Sequence, residues 1–185
     1  MPAKVMIIRH GEKPLGGNPP HGVTWDGAPD AKSLTVQGWA RAGALVALFA
    51  APGGSPPDLG LPDVIYASSP SGPSKRPLQT VAPLAEKLGL KPKTSFTKGD
   101  EKALAAAVLK ASGTVLISWQ YEKIPKIVQH LTGDAGTTQK VPQEWPDDRF
   151  DVVWLLTRTG GSGEPWRFAQ IPQRLLAGDK PEPIE

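Results

Sequence analysis

The chain has 185 residues, a length that suits one domain. A hydrophobic fraction of 39% with 21% charged residues excludes a disordered chain, and the lack of cysteine excludes disulfides, thiolate nucleophiles and cysteine zinc sites. The net charge of +3 and pI near 9.2 come from scattered Lys and Arg, a weak bias toward small anionic ligands and no tract of the kind nucleic-acid binding uses.

Met1 to Arg9 holds no apolar signal core, and Lys4 to Ile8 (KVMII) reads as a buried strand ending in Arg9-His10-Gly11-Glu12. Residues 13–33 form a Pro/Gly loop too long for a mere connection. Thr35 to Ala50 predicts a helix capped by Thr35, with Val36, Trp39, Gly43 and Val46 on one face. A second Pro/Gly connector, Ala51 to Pro62, leads to a strand at Asp63 to Ser68. The next helix is expected from Lys75 to Gly89, with Pro77 in its first turn and Pro83 kinking its middle. Residues 91–96 suggest a short strand, and Asp100 is placed to cap an alanine-rich helix ending near Ala111.

Thr114 to Trp119 (TVLISW) is a further buried strand, followed by a helix around Ile124 to Leu131. Residues 132–149 look irregular, and Phe150–Thr157 with Trp166–Ile171 read as a hairpin around Gly160-Gly161-Ser162-Gly163. The pattern predicts an α/β fold of three α/β/α layers, its sheet mostly parallel with a mixed edge. It forms a single domain over residues 1–178, with a polar, Pro-rich tail at 179–185 expected to fray. No stretch approaches the roughly 18 apolar residues of a membrane helix, so a soluble cytoplasmic protein is expected.

In open α/β sheets ligands sit beyond the carboxyl ends of the strands. Arg9 and His10 follow the first strand, Ser68, Ser69 and Arg76 the second, and Gln120 and Tyr121 the strand at 114–119. Guanidinium groups bind phosphate oxygens in bidentate fashion, and a neutral imidazole nitrogen is nucleophilic. Two arginines beside His10 therefore suit attack on phosphorus.

Arg9-His10-Gly11-Glu12 after an apolar strand resembles the RHG signature of the histidine phosphatase (phosphoglycerate-mutase-like) superfamily. Leu34-Thr35-x-x-Gly38-x-x-Arg41-Ala42 is similar to its next segment, and Ser68-Ser69-Pro70 with Arg76-Pro77-Leu78-Gln79-Thr80 to its SSP…R…QT element. The resemblance spans roughly residues 4–131 in the right order. It implies a cofactor-free phosphomonoesterase that phosphorylates His10, with Arg9 and Arg76 holding the phosphoryl group of a small anionic substrate.

The family's second histidine has no counterpart. Ungapped alignment places Gln120 there, and tryptophan-containing variants of the segment place Tyr121 there. Either side chain donates one hydrogen bond without a positive charge, a loss of roughly 10- to 150-fold in rate. The resemblance thus implies a slow enzyme or, as the alternative, a non-catalytic phosphate-binding or interaction module on the same fold.

Glu12 is a candidate proton donor or a partner for an arginine. His21 reads as a solvent-exposed loop residue, His130 lies away from the strand ends, and Trp25 is expected to pin the long loop to the body. Trp39, Trp119 and Trp154 are expected in the core. No two of the three histidines stand at ligand spacing on one element, so no metal site is expected.

Overall fold

The computed structural model describes residues 1–14, 16, 19–51, 58–158, 160–161 and 163–185. Five strands form one sheet: β1 (Lys4–Arg9), β2 (Val64–Ala67), β3 (Thr114–Trp119), β4 (Val152–Thr157) and β5 (Arg167–Pro172), in the order β2-β3-β1-β4-β5. β2, β3 and β1 run parallel, whereas β4 pairs antiparallel with β1 and β5 with β4, so the hairpin makes the mixed edge. Ser162 of its glycine turn lies outside the described residues.

Helices α1 (Val36–Phe49) and α2 (Arg76–Leu88) cover one face, while α3 (Glu101–Leu109) and α4 (Ile124–Thr132) cover the other. The pleat sorts β1 between them: Val5 and Ile7 pack with α3 and α4, Met6 and Ile8 with α1 and α2. Among the described residues no helix is long and apolar enough to cross a membrane.

Thr35 caps α1 as expected, accepting from the Gly38 N–H at 3.2 Å. The buried face is the other one, however: Gly38, Arg41, Ala42, Leu45, Leu48 and Phe49 face the sheet, and Val36 is 72% exposed. Leu45, Leu48 and Phe49 pack into the core under α1 with Met6 and Ile8, while Gly43 and Val36 on the expected face are exposed. α2 ends on Gly89 at φ 65°, the left-handed geometry glycine adopts without strain, and it runs through Pro83 to Leu88.

The strand expected at 91–96 shrinks to a single bridge between Lys93 and Tyr66. Asp100 precedes α3, but its carboxylate accepts from the Thr97 N–H at 2.9 Å and caps nothing.

The terminal segment does not fray. Asp179 pairs with Arg41 at 2.7 Å, the Glu182 carbonyl accepts from Arg149, and Ile184 is 4% exposed within the α3–α4 core. One apolar side chain and two backbone bonds to Gln170 hold it there, an anchorage that its polar, Pro-rich sequence hides. Ile184→Ala is therefore expected to lower unfolding free energy by about 2 kcal/mol in urea titration, where a frayed tail would give no change.

Candidate active site

Carried one residue past the strand, the alternation of β1 sends Arg9 toward the α3–α4 side and His10 toward the α1–α2 side. The His10 N–H donates to the Trp119 carbonyl at 3.1 Å, and Nδ1 is 2.7 Å from the Gly11 carbonyl. A carbonyl only accepts, so Nδ1 carries the proton and Nε2 keeps its lone pair. His10 is 3% exposed. Burial pushes its pKa down to about 3; the Gly11 carbonyl opposes this, and the charges of Arg9, Arg76 and Lys13 add to it. His10 is therefore a neutral imidazole at pH 7, with the charges of Arg9, Arg76 and Lys13 near enough to act on it.

The chain after His10 lies directly on the first turn of α1. A Cβ on Gly38 would come within 2.6 Å of the Glu12 carbonyl oxygen, so only glycine fits there. The Gly11 N–H donates to Thr80 Oγ1 at 2.8 Å, which ties this turn to α2 as well.

Arg9 is clamped. Its guanidinium stacks between the rings of Tyr121 at 4.2 Å and Phe150 at 3.7 Å. Nη1 donates to the carbonyls of Pro146, Asp147 and Arg149, and Nη2 to the Asp147 carboxylate at 3.2 Å. Burial lowers its pKa to about 10 against the pull of Asp147, so it stays charged at neutral pH. Its Nε is buried with no hydrogen-bond partner.

Arg76 opens α2 and donates from Nη1 to the Ala31 carbonyl at 3.1 Å. Burial lowers its pKa, with Asp30 and Glu122 opposing, and its Nε too is buried without a partner. The neighbouring Lys75 pairs with Asp30 at 2.7 Å, and Gln79 bonds both Leu34 and Ser33. α2 thus holds the end of the long loop.

Other expectations change. The Glu12 carboxylate accepts from Arg41 at 2.8, 3.0 and 3.2 Å, so it serves an arginine and does not stand free as a proton donor. Arg41 is itself shared with Asp179 and Gln173. Tyr121 lies on Arg9, beside Lys13 and Asp147, on the α3–α4 side of the sheet. Gln120 is buried and donates from Nε2 to Ser68 Oγ at 3.0 Å.

His21 is exposed. Trp25 is 86% exposed at the tip of a turn bridged between Val23 and Pro29, and pins nothing. Trp39 does that work, donating from Nε1 to the Val23 carbonyl at 2.9 Å. Trp119 and Trp154 are fully buried, as expected.

Sequence reasoning missed Lys13, Asp147 and Phe150. Lys13 adjoins the RHG turn and was legible as a nearby cation. Asp147 and Phe150 reach the site only because β4 lies beside β1. A cleft of about 420 Å³ opens next to this clamp, lined by Lys13, Asp147 and Phe150 together with Gln37, Arg41 and Lys180. His10 and Arg76 are not part of its wall.

No family model and no curated protein matches the sequence. Solved structures do. A structure of the protein histidine phosphatase SixA complexed with tungstate superposes with a TM-score of 0.57 at 17% identity, over 92% of this chain and 97% of that one. The chain has the histidine phosphatase fold. A putative phosphohistidine phosphatase SixA from Agrobacterium tumefaciens gives a TM-score of 0.50, also at 17% identity, over 91% of this chain and 97% of that one. In the histidine phosphatase fold as this chain builds it, His10 directly follows the central strand β1, which lies between β3 and β4.

Proposed function

We propose that the protein is a phosphomonoester hydrolase that works through a phosphohistidine at His10. The observation that carries this reading is the buried His10 imidazole, its proton held at Nδ1 by Gly11 and its lone pair at Nε2, with Arg9, Arg76 and Lys13 around it. An anion is the ligand such a setting favours. The fold and the tungstate complex of one neighbour, tungstate being a tetrahedral oxyanion like phosphate, point the same way.

In this reading Nε2 attacks phosphorus, the new N–P bond forms, and the P–O bond to the leaving group breaks. Arg9 and Arg76 stabilise the charge on the equatorial oxygens. Water then cleaves the N–P bond, releasing phosphate and restoring the neutral imidazole. The leaving group, from a small phosphorylated substrate, extends toward the cleft beside Lys13 and Phe150.

An aryl leaving group departs without a proton, so p-nitrophenyl phosphate tests this chemistry without a general acid. Wild type is expected to hydrolyse it and to carry an acid-labile phosphoryl group. His10→Ala is expected to lose both, with at least a roughly 1,000-fold fall in kcat/KM. Equal inactivity of the two proteins, with vanadate still bound by wild type, would replace this reading with the non-catalytic phosphate-binding module. The Glu12–Arg41 pairing favours that second reading, since it occupies the carboxylate nearest His10 in the sequence.

A further inference from the structure

The cleft beside the Arg9 clamp holds about 420 Å³, within the roughly 300–1,000 Å³ of small-molecule sites. Every charged side chain in its wall is ion-paired with another. Of the buried ones, Arg41 holds Glu12 and Asp179, and Arg149 holds Asp151. Toward solvent, Lys13 lies 2.7 Å from Asp147 and Lys180 lies 3.2 Å from Asp148. Four cations thus meet five carboxylates, and among the described residues the wall has no spare cation. Opening either outer pair to seat an anionic group would leave a carboxylate beside it. A leaving group that carries negative charge is therefore repelled.

The neutral part of the wall is Phe150 with Pro20, Ala177 and Gly178. Phe150 is half-buried, and its ring ties the cleft to the phosphate site. The Arg9 guanidinium lies 3.7 Å from its centroid, and the His10 ring centroid lies 6.5 Å away. A flat ring joined to phosphorus by one oxygen can stack on Phe150 while the phosphoryl group stays at His10, since aromatic pairs attract at centroid separations of about 4.5–7 Å.

The pairing of the carboxylates also governs how the leaving group departs. Glu12 accepts three contacts from Arg41, and hydrogen bonds from Lys13 and Lys180 hold the Asp147 and Asp148 carboxyls below their ordinary pKa. Carboxylates kept ionised donate no proton, so an alkoxide would have to leave unprotonated. A phenolate needs no donor, its conjugate acid having a pKa of about 10, as in tyrosine. The electron pair of the broken P–O bond stays on its oxygen, and water protonates it afterwards.

We propose that the substrate is a phosphate monoester of an uncharged phenol, its ring stacked on Phe150 in the cleft. This rests on the phosphate reading of His10.

Phosphonates test it, because their P–C bond removes leaving-group chemistry. Dissociation constants at pH 8 are measured for methylphosphonate, 3-phosphonopropionate and benzylphosphonate, with orthovanadate as reference, on wild type and Phe150→Leu. Benzylphosphonate is expected to bind wild type roughly 10-fold tighter than methylphosphonate, and 3-phosphonopropionate no tighter than methylphosphonate. Phe150→Leu also loosens the Arg9 clamp and weakens every ligand. The readout is therefore the benzyl-to-methyl ratio, expected to fall roughly 2- to 10-fold. With wild type, phenyl phosphate should exceed benzyl phosphate, a similar shape with a far more basic leaving group, by at least roughly 100-fold in kcat/KM. The wild-type arms decide the matter even if Phe150→Leu fails to fold. Equal binding of benzyl- and methylphosphonate, preference for 3-phosphonopropionate, an unchanged ratio in folded Phe150→Leu, or comparable turnover of the two esters would overturn the proposal and leave the phosphate site intact. Failure of wild type to bind vanadate, or to turn over either ester, would overturn the phosphatase reading and this proposal with it.

Discussion

With p-nitrophenyl phosphate, kcat/KM is expected to stay level on the acid side from pH 7 to about pH 4, once the substrate's own ionisation is divided out. An ordinary imidazole, with its pKa near 6.5, would cost most of the activity over that range. His10 is held down to about 3 by burial and by Arg9, Arg76 and Lys13, so its lone pair remains available. The same shift acts on stability with a definite sign. The unfolded chain takes up a proton at His10 near pH 6.5, while the folded chain resists it to about 3. The stabilisation is therefore complete above pH 6.5 and is lost as the pH falls toward 3, at up to about 1.4 kcal/mol per pH unit.

Urea titrations of wild type and His10→Gln between pH 6.5 and 4.5 isolate this contribution, since the carboxylates titrate alike in the two proteins. The wild type should lose stability more steeply with acid than the variant. Parallel curves would mean that His10 titrates as an ordinary histidine and that the cation cluster does not act on it.

Arg41→Met is expected to destabilise the protein by about 3–5 kcal/mol, equivalent to a fall of about 6–20 °C in Tm. Arg41 is buried between Glu12 at 2.8 Å and Asp179 at 2.7 Å, and its removal leaves two carboxylates facing each other out of water. Burial alone would lower the Arg41 pKa, yet the two carboxylates hold it above its ordinary value. The triple variant Arg41→Met, Glu12→Gln, Asp179→Asn should recover most of the loss, because the cost lies in the unpaired charges and not in the missing bond. A Tm within 2 °C of wild type for the single variant would show that water reaches the network freely. The network joins the turn after His10 to the terminal segment, so the single variant should also lower the proposed phosphatase activity, and the triple variant should restore part of it.

Several features were legible in the residues themselves. The apolar runs at 4–8, 63–68 and 114–119 predicted the three parallel strands, since a strand buried on both faces needs continuous apolar sequence. Thr35 and Gly89 marked helix ends through local bonding and local φ, and both marks held. The run Arg9-His10-Gly11 and Arg76 were legible as residues at or after the ends of parallel strands, whose carboxyl ends lie together at one edge of the sheet.

What each of these groups touches was decided only by tertiary structure. The buried face of α1, the clamp of Tyr121, Phe150 and the 146–149 carbonyls on Arg9, and the capture of Glu12 by Arg41 and Asp179 all depend on segments far apart in the chain. Local periodicity carries no information about such partners. The polar tail shows this most clearly: composition predicts fraying, and only the packed sheet provides the pocket for Ile184 and the cation for Asp179. The sequence by itself determined the five strands of the sheet and put Arg9 and His10 at the end of the first and Arg76 after the second. Only the folded chain decided which of those residues stay free for a ligand, because burial and charge pairing are properties of neighbours in space.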